Sequence, residues 1–378
     1  MKSHLFKNYI LGYLNEYNVN NLHLNNNDPV VYKKFKAIKV AHYLKTSIKF
    51  SRTFISLVKF LEIPLSLFIL SFNFIKYSFR YLISSSKRVT NQKLMFGFYV
   101  EKLNDTDIDL ADITIVEIPS IISNYPECEK ISIFNGIDFI DILKSYFYSF
   151  EMIFYMKNKY GNRDFLFRSY SSFEYFLCCF FVYNSHISNT YYFDALIDRW
   201  AYLFGGLAHE TVFIQHGCGN NELRLKKIGK ADYAYYINEK EKEICEKRLF
   251  NNKPRFSYMK QSNFNPTFNK LLKNGSKNIL LICNMLFFDK EKEIIKSFSK
   301  KKLNLYIKPH PNSLNDPYEK LINENNLVLL EREDFPKVDM VISYYSTLAI
   351  SYKNHGVEVL MYDDELFQYK LDNLLNIN

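Results

Sequence analysis

The sequence predicts an α/β protein built of two doubly wound, Rossmann-like units and opened by a helical, basic segment. From Lys93 onward, short apolar runs alternate with helix-length amphipathic runs, the pattern of a mainly parallel sheet covered on both faces. The alternation breaks at a polar stretch with two prolines, Asn252–Pro266, and then restarts. With 378 residues, 48% of them apolar, the chain has enough material for two separate cores. The expected division is 1–92, 93–252 and 253–378, the first segment belonging to the N-terminal domain.

The elements follow in order. HLFKNYILGYLNEY reads as a short amphipathic helix, followed by an Asn-rich loop through Pro29. From Lys33 to Lys93 lysines and arginines face a single acid, Glu62, and inside this block Ile63–Ile75 is the longest uncharged apolar run. It is too short for a bilayer span of about 20 residues and it contains Pro64. Two readings stay open. Phe54, Leu57, Leu61, Leu65, Phe68, Phe72 and Ile75 form the lipid face of an in-plane helix, or the same face packs on the protein's own core.

LMFGFYVE, ADITIVE and KISIF then read as strands, and FIDILKSYFYSFEMIFYMKNKYG as a helix closed by Gly161. DFLFRSY is a strand, SSFEYFLCCFFVYN a helix, and NTYYFDALIDRWAYLFGGL a helix with a glycine stop. TVFIQHG and ADYAYYIN are strands. In the second half NILLICN, LNLYIKPHP, NLVLLE, DMVISYY and VEVLMYDD read as strands. DKEKEIIKSFSKKK, DPYEKLINENN and STLAISYKNHG read as helices, the last stopped by Gly356.

Composition narrows the function classes. Phe, Tyr, Ile, Asn and Lys are over-used, so a single Lys, Asn or Tyr carries little information. The net charge of +9 and the Lys33–Lys93 block favour phosphate, on nucleic acid or on an anionic bilayer. Aromatics at helical spacing and the lack of an RRM, KH or helix-turn-helix signature count against nucleic acid. The six cysteines show no CxxC or Cys/His spacing, so reduced cytoplasmic thiols and no metal are expected. Neither GxGxxG nor a P-loop is present, which removes the main support for dinucleotide and P-loop readings.

Candidate site residues stand where strands end. Lys308-Pro309-His310-Pro311 follows the run LNLYI, and the two prolines disfavour helix around His310. An imidazole there can donate to a phosphate oxygen, with Lys308 as a nearby charge. Ser346 and Thr347 sit between a strand and a helix, where hydroxyls cap and the first-turn N–H groups bind anions. Gln215-His216-Gly217 ends the strand TVFI in the first half. His216 suits removal of a hydroxyl proton, and Glu222 in the same loop is the rival base. Arg224, Lys226 and Lys227 follow, as donor or acceptor contacts or as a solvated basic face.

The order of these elements, QHG, then KKIG and AD before a strand, then KPHP, then DMVISYYST before a helix, then GVEVLMYD, resembles bacterial GT-B transferases that use cytidine-activated donors. The stretch VDMVISYYSTLAISYKNHGVEVLMYDD is similar to CDP-glycerol glycerophosphotransferases. Bacterial sialyltransferases and capsule polysaccharide synthesis proteins share the pairing of HP with Ser/Thr. The resemblance spans Val212–Asp364. Two departures from the glycerophosphotransferase pattern, Tyr344 at a usually acidic position and the insert CGNNELRL, bear against glycerol phosphate as the transferred group.

The resemblance implies a GT-B arrangement, two Rossmann-like domains facing across a cleft, with residues 93–252 taking the acceptor and 253–378 the nucleotide. It places His310 and Ser346, with Thr347, at the nucleotide phosphates and His216 as base; from the residues themselves Lys308 and Pro311 join the phosphate site, Glu222 is the rival base, and Gln215, Gly217, Arg224 and Lys227 are donor or acceptor contacts. The expected activity is metal-independent glycosyl transfer in surface polysaccharide or lipopolysaccharide assembly, with no cofactor beyond the nucleotide-sugar substrate. A CMP-linked, sialyltransferase-like donor is expected, with a glycan or lipid-linked glycan as acceptor. Transfer of a polyol phosphate from a CDP donor is the alternative. The enzyme is expected in the cytoplasm, peripherally held at the anionic inner leaflet, with no nucleic-acid partner.

Overall fold

The computed structural model describes residues 2–22, 61–84, 92–96, 100–119, 128–160, 171–185, 189–194, 199–215, 226–227, 229–260, 277–284, 287–298, 301, 303–309, 316–325, 327–331, 334–344, 346–362 and 364–376. They fall into two compact units, with the change from one to the other after Lys260.

In the first unit seven described strands form one sheet, ordered β3-β2-β1-β4-β5-β6-β7 and parallel at every pairing. They are β1 (Lys93–Phe96), β2 (Thr114–Glu117), β3 (Glu129–Ser132), β4 (Thr190–Phe193), β5 (Glu210–Ile214), β6 (Tyr233–Tyr236) and β7 (Arg255–Tyr258). Successive side chains leave opposite faces of a strand, so a strand buried on both sides is apolar throughout. Leu94, Phe96, Tyr191, Phe193 and Phe213 enter the larger core. Met95, Tyr192, Val212 and Ile214 enter a smaller one on the other face.

Helices α1 (Lys2–Leu22), α2 (Glu62–Ile83), α3 (Phe139–Tyr160), α4 (Ser172–Asn184) and α5 (Arg199–Leu207) build the larger core, and α6 (Glu239–Arg248) follows β6. The N-terminal helix is an integral part of it. Leu5, Tyr9 and Tyr13, four residues apart, are buried, and the Asn15 amide donates to the Tyr202 hydroxyl of α5 at 2.8 Å. In α2 the buried line is Ser66, Leu70 and Tyr77, with Tyr77 stacked on Phe173 and donating to Glu174 at 2.5 Å. Pro64 falls in the first turn of α2, where a missing N–H costs no helical bond.

The second unit repeats the scheme with β8 (Asn278–Cys283), β9 (Asn304–Pro309), β10 (Val328–Leu329), β11 (Met340–Ser343) and β12 (Glu358–Met361), ordered β10-β9-β8-β11-β12 and again parallel. Its described helices are α7 (Phe288–Phe298), α8 (Asp316–Asn325), α9 (Thr347–Asn354) and α10 (Phe367–Asn376). Ile279, Leu281, Ile307 and Ile342 line one core, and Leu280, Ile282, Tyr306 and Val341 the other.

Two doubly wound α/β units with a helical N-terminal segment are therefore what the chain forms. Several sequence readings need correction. NTYYFDALIDRWAYLFGGL is not one helix: Thr190–Phe193 is the strand β4, and among its described residues only Arg199–Leu207 is helical. The β-branched and aromatic TYYF run finds a place at the centre of the sheet, and tertiary pairing overrides the helical spacing. The boundary expected between 252 and 253 lies after Lys260, because Arg255–Tyr258 pairs with β6 as an edge strand. KISIF is strand only to Ser132, after which Ile133–Gly136 forms a 3-10 turn whose capping box joins Ser132 and Asn135. DFLFRSY, Gly161, Phe54 and Leu57 lie outside the described residues.

Candidate functional site

In a doubly wound sheet the crossovers run in opposite directions from a switch point, and the crevice at its carboxyl edge receives ligands. The second unit has its switch point between β8 and β11. At that edge Ser346, 8% exposed, accepts a hydrogen bond from the Ala349 N–H at 3.2 Å and so caps α9. Its hydroxyl also meets that of Ser343, the last residue of β11, at 3.3 Å. Thr347 opens the helix, and Gly356 at φ 78° follows its end, in the left-handed region where a side chain is strained. Phe287, leading into α7, stacks on Tyr344 with centroids 5.5 Å apart.

Lys308 stands one strand to the other side of β8. Its stem is buried at 6% exposure, its ammonium donates to the carbonyls of Glu331 at 2.9 Å and Asp334 at 2.7 Å, and it lies over the Phe335 ring at 4.3 Å. This ammonium fixes the chain after β10 against the end of β9. At the strand spacing of about 4.8 Å, the ends of β9 and β11 are separated by roughly 10 Å with β8 between them.

Beneath the end of β8 lies a buried carboxylate. Glu291 accepts the Tyr318 hydroxyl at 2.5 Å, the Asn284 N–H at 2.8 Å and the Tyr362 hydroxyl at 3.4 Å. Burial, the largest influence, lifts its carboxyl to about 7, although those donors favour the charged form. By joining the end of β8 to α7, α8 and the turn after β12, it sets the floor of the switch-point crevice.

In the first unit the switch point lies between β1 and β4. Asp194, 1% exposed, follows β4 directly there. One strand further, Gln215 closes β5. Its amide nitrogen donates to Glu241 at 2.6 Å, its amide oxygen accepts from the Ile237 N–H at 3.2 Å, and its own N–H donates to Tyr235 at 3.1 Å. The carboxamide thus faces inward and ties β5, β6 and α6 together. Eleven residues later the chain is held again, Lys226 O accepting from Asn15 at 3.0 Å and Tyr202 at 2.5 Å, and Lys226 N donating to Asn15 at 3.0 Å. Gly229, at φ 108°, would drive an added Cβ into the Gly205 carbonyl.

Lys308, Ser346 and Thr347 therefore share one carboxyl edge, that of the second sheet. Gln215 stands at the carboxyl edge of the first, whereas Lys227 is exposed next to Lys226, which Asn15 and Tyr202 hold. His216, Gly217, Glu222, Arg224, His310 and Pro311 lie outside the described residues. Two carboxylates escaped the sequence reading. Asp194 was hidden because its strand was read as helix. Glu291 had a signal, since it shares a face with Ile294, Ile295 and Phe298 at helical spacing and so places an acid on the apolar side of α7.

No protein-family model and no curated protein matches the chain. Solved structures give distant likenesses. A structure of the wall teichoic acid polymerase TagF with CDPG aligns over 81% of this chain and 80% of its own, at 10% identity and a TM-score of 0.38. MurG of Acinetobacter baumannii aligns over 75% and 82%, at 11% identity and 0.35. The spinosyn forosaminyltransferase SpnP aligns over 75% and 83%, at 10% identity and 0.36. Likenesses at these scores assign no activity to the chain, and its architecture rests on its own strand pairings.

Proposed function

We propose that the chain is a metal-independent glycosyltransferase of GT-B type, acting in surface polysaccharide or lipopolysaccharide assembly. One observation supports this above others: two doubly wound parallel sheets, with Lys308, Ser346 and Thr347 at the carboxyl edge of the second and Gln215 at that of the first. In this reading the second unit binds the nucleotide of a CMP-linked sugar, and the first presents the acceptor. His216, or Glu222 from the same loop, takes the proton of an acceptor hydroxyl. The oxygen then attacks the anomeric carbon, and the bond from that carbon to the phosphate oxygen breaks, its electron pair leaving with CMP. His310, with Thr347 and the first-turn N–H groups of α9, stabilises the departing phosphate, while Ser346 orients the turn and Lys308 adds its charge from beneath the edge.

The acceptor is a glycan or lipid-linked glycan. The basic stretch Lys33–Lys93 holds the enzyme at an anionic inner leaflet. The test is a thermal-shift panel of CMP, CDP, UDP, GDP and ADP with the parent and His310→Ala. Cytidine nucleotides are expected to stabilise the parent and not the variant; stabilisation by uridine or guanosine nucleotides alone refutes the donor assignment. Product analysis separates the rival chemistry, because a polyol-phosphate transferase cleaves the phosphoanhydride of a CDP donor and leaves phosphate in the product.

A further inference from the structure

The helix α2 turns an apolar line away from the core that its other side builds. Phe68, Phe72, Ile75, Phe79 and Leu82 are 69%, 58%, 67%, 63% and 74% exposed, and their spacing of three and four residues sets them on one helical stripe. The side of α2 opposite that stripe, Leu70 and Tyr77, is buried. Of the residues that the sequence set on this face, Leu61, Phe68, Phe72 and Ile75 are exposed and Leu65 is half-buried, so most of the face lies outside the protein's own core.

The neighbouring helix doubles the surface. Phe74 packs on Tyr146 and Tyr81 on Phe139, so α2 and α3 run antiparallel side by side. Ile140, Phe147, Phe150 and Phe154 of α3 are exposed as well. Their helical positions fall on the flank of α3 that carries Tyr146 toward α2, so the two stripes meet along the seam. At roughly 100 Å² for each large side chain, the two helices present about 1,000 Å² of apolar surface, well above the few hundred usual on a soluble monomer.

The charge around this surface selects its partner. By the helical phase, Lys76 and Arg80 edge the stripe of α2 on the flank away from α3. The one exposed acid of α3, Glu151, is paired with Lys2. The chain reaches α2 through eight lysines and arginines with no acid between Asp28 and Glu62. A second copy on this face would bring like charges together, because a twofold interface sets the same patch against itself. An anionic lipid surface satisfies both the apolar face and its cationic edge. No described helix is long and apolar enough to cross a membrane, so the contact lies in the plane.

We infer that α2 and α3 form a two-helix platform whose aromatic face inserts into the headgroup region of an anionic bilayer. This rests on the membrane reading proposed above and changes its character: the basic stretch brings the protein to the surface, and apolar insertion retains it. Retention therefore resists salt, and α3 contributes as much as α2.

The test is co-sedimentation of the full chain with phosphatidylcholine vesicles containing phosphatidylglycerol, and with pure phosphatidylcholine, at low and high salt. The parent is compared with Phe72→Ser/Phe79→Ser on α2 and Phe147→Ser/Phe154→Ser on α3. Far-UV circular dichroism and the fluorescence of the buried Trp200 verify that each variant is folded. Binding of the parent to the anionic vesicles that survives high salt, and a fall in partitioning of about tenfold or more for each pair, is the expected result. If the parent binds neither vesicle, the membrane reading and the platform fall together. If binding is abolished by salt, or the α3 pair binds like the parent, electrostatic attachment stands and the platform is refuted. A lipid-free dimer that the substitutions dissociate equally overturns it, assigning the face to a second copy.

Discussion

Glu291→Gln tests the interior on which the second carboxyl edge stands. The carboxyl of Glu291 is lifted from 4.5 to about 7 by burial. Between those two values the folded chain holds a proton that the unfolded chain has released, so stability falls as pH rises through this window and is level above it. At 1.36 kcal/mol per unit, the shift corresponds to about 3 kcal/mol. Glutamine keeps the shape, accepts from Asn284 and donates to the Tyr318 oxygen, but cannot ionise. Relative to the parent, the variant should therefore gain about 3 kcal/mol from below the window to above it. Urea unfolding across that pH range, followed by far-UV circular dichroism, measures the gain. Fluorescence of Trp200, buried in the first unit, serves as an internal reference whose transition is expected not to move. A constant difference between the two proteins at every pH, or a parent that gains on the variant as pH rises, would show that the donors around it hold the carboxylate charged and would refute the reasoning.

Ser346→Ala removes the cap of α9, at a cost of about 1 kcal/mol in thermal unfolding, and should weaken the nucleotide-induced shift by disordering the turn before the helix. An unchanged shift would separate the cap from the binding edge. Gln215→Leu leaves the Glu241 carboxylate and the Ile237 N–H buried without this partner, a loss of about 2–3 kcal/mol. Urea titration by Trp200 fluorescence measures it, and a variant as stable as the parent would mean that the clamp is dispensable.

Much of the second unit was legible because its strands are buried on both faces and its turns carry strong punctuation. NILLIC, LNLYIKP and DMVIS are apolar runs closed by Asn, Pro or Ser, and each became a strand of one sheet. Gly356 and Ser346 marked the ends of α9 for the local reasons that the structure shows, a left-handed backbone angle and a side-chain cap. The first unit was harder to read, because its aromatic residues serve helices and strands alike. Phe and Tyr fall at helical spacing across TYYFDALIDRWAYLF, yet only a sheet already holding β1 and β5 makes a strand of Thr190–Phe193. That register depends on residues far apart in sequence, which no local pattern contains.

The misreading also concealed the middle of the candidate edge. With β4 restored, the first switch point falls beside Asp194, one strand from Gln215, instead of in an undefined helical stretch. The same ambiguity of aromatic spacing worked the other way in α2. Sequence alone could assign the Phe68–Phe72–Ile75 stripe either to a core or to a lipid face, and the choice turned on what occupied the opposite side. Leu70 and Tyr77 occupy it, packed into the core with α3 and α4, so the stripe is left on the outside. A helix can bury only one of two apolar sides against a single core, and a second apolar side persists on a soluble domain where it meets something other than water.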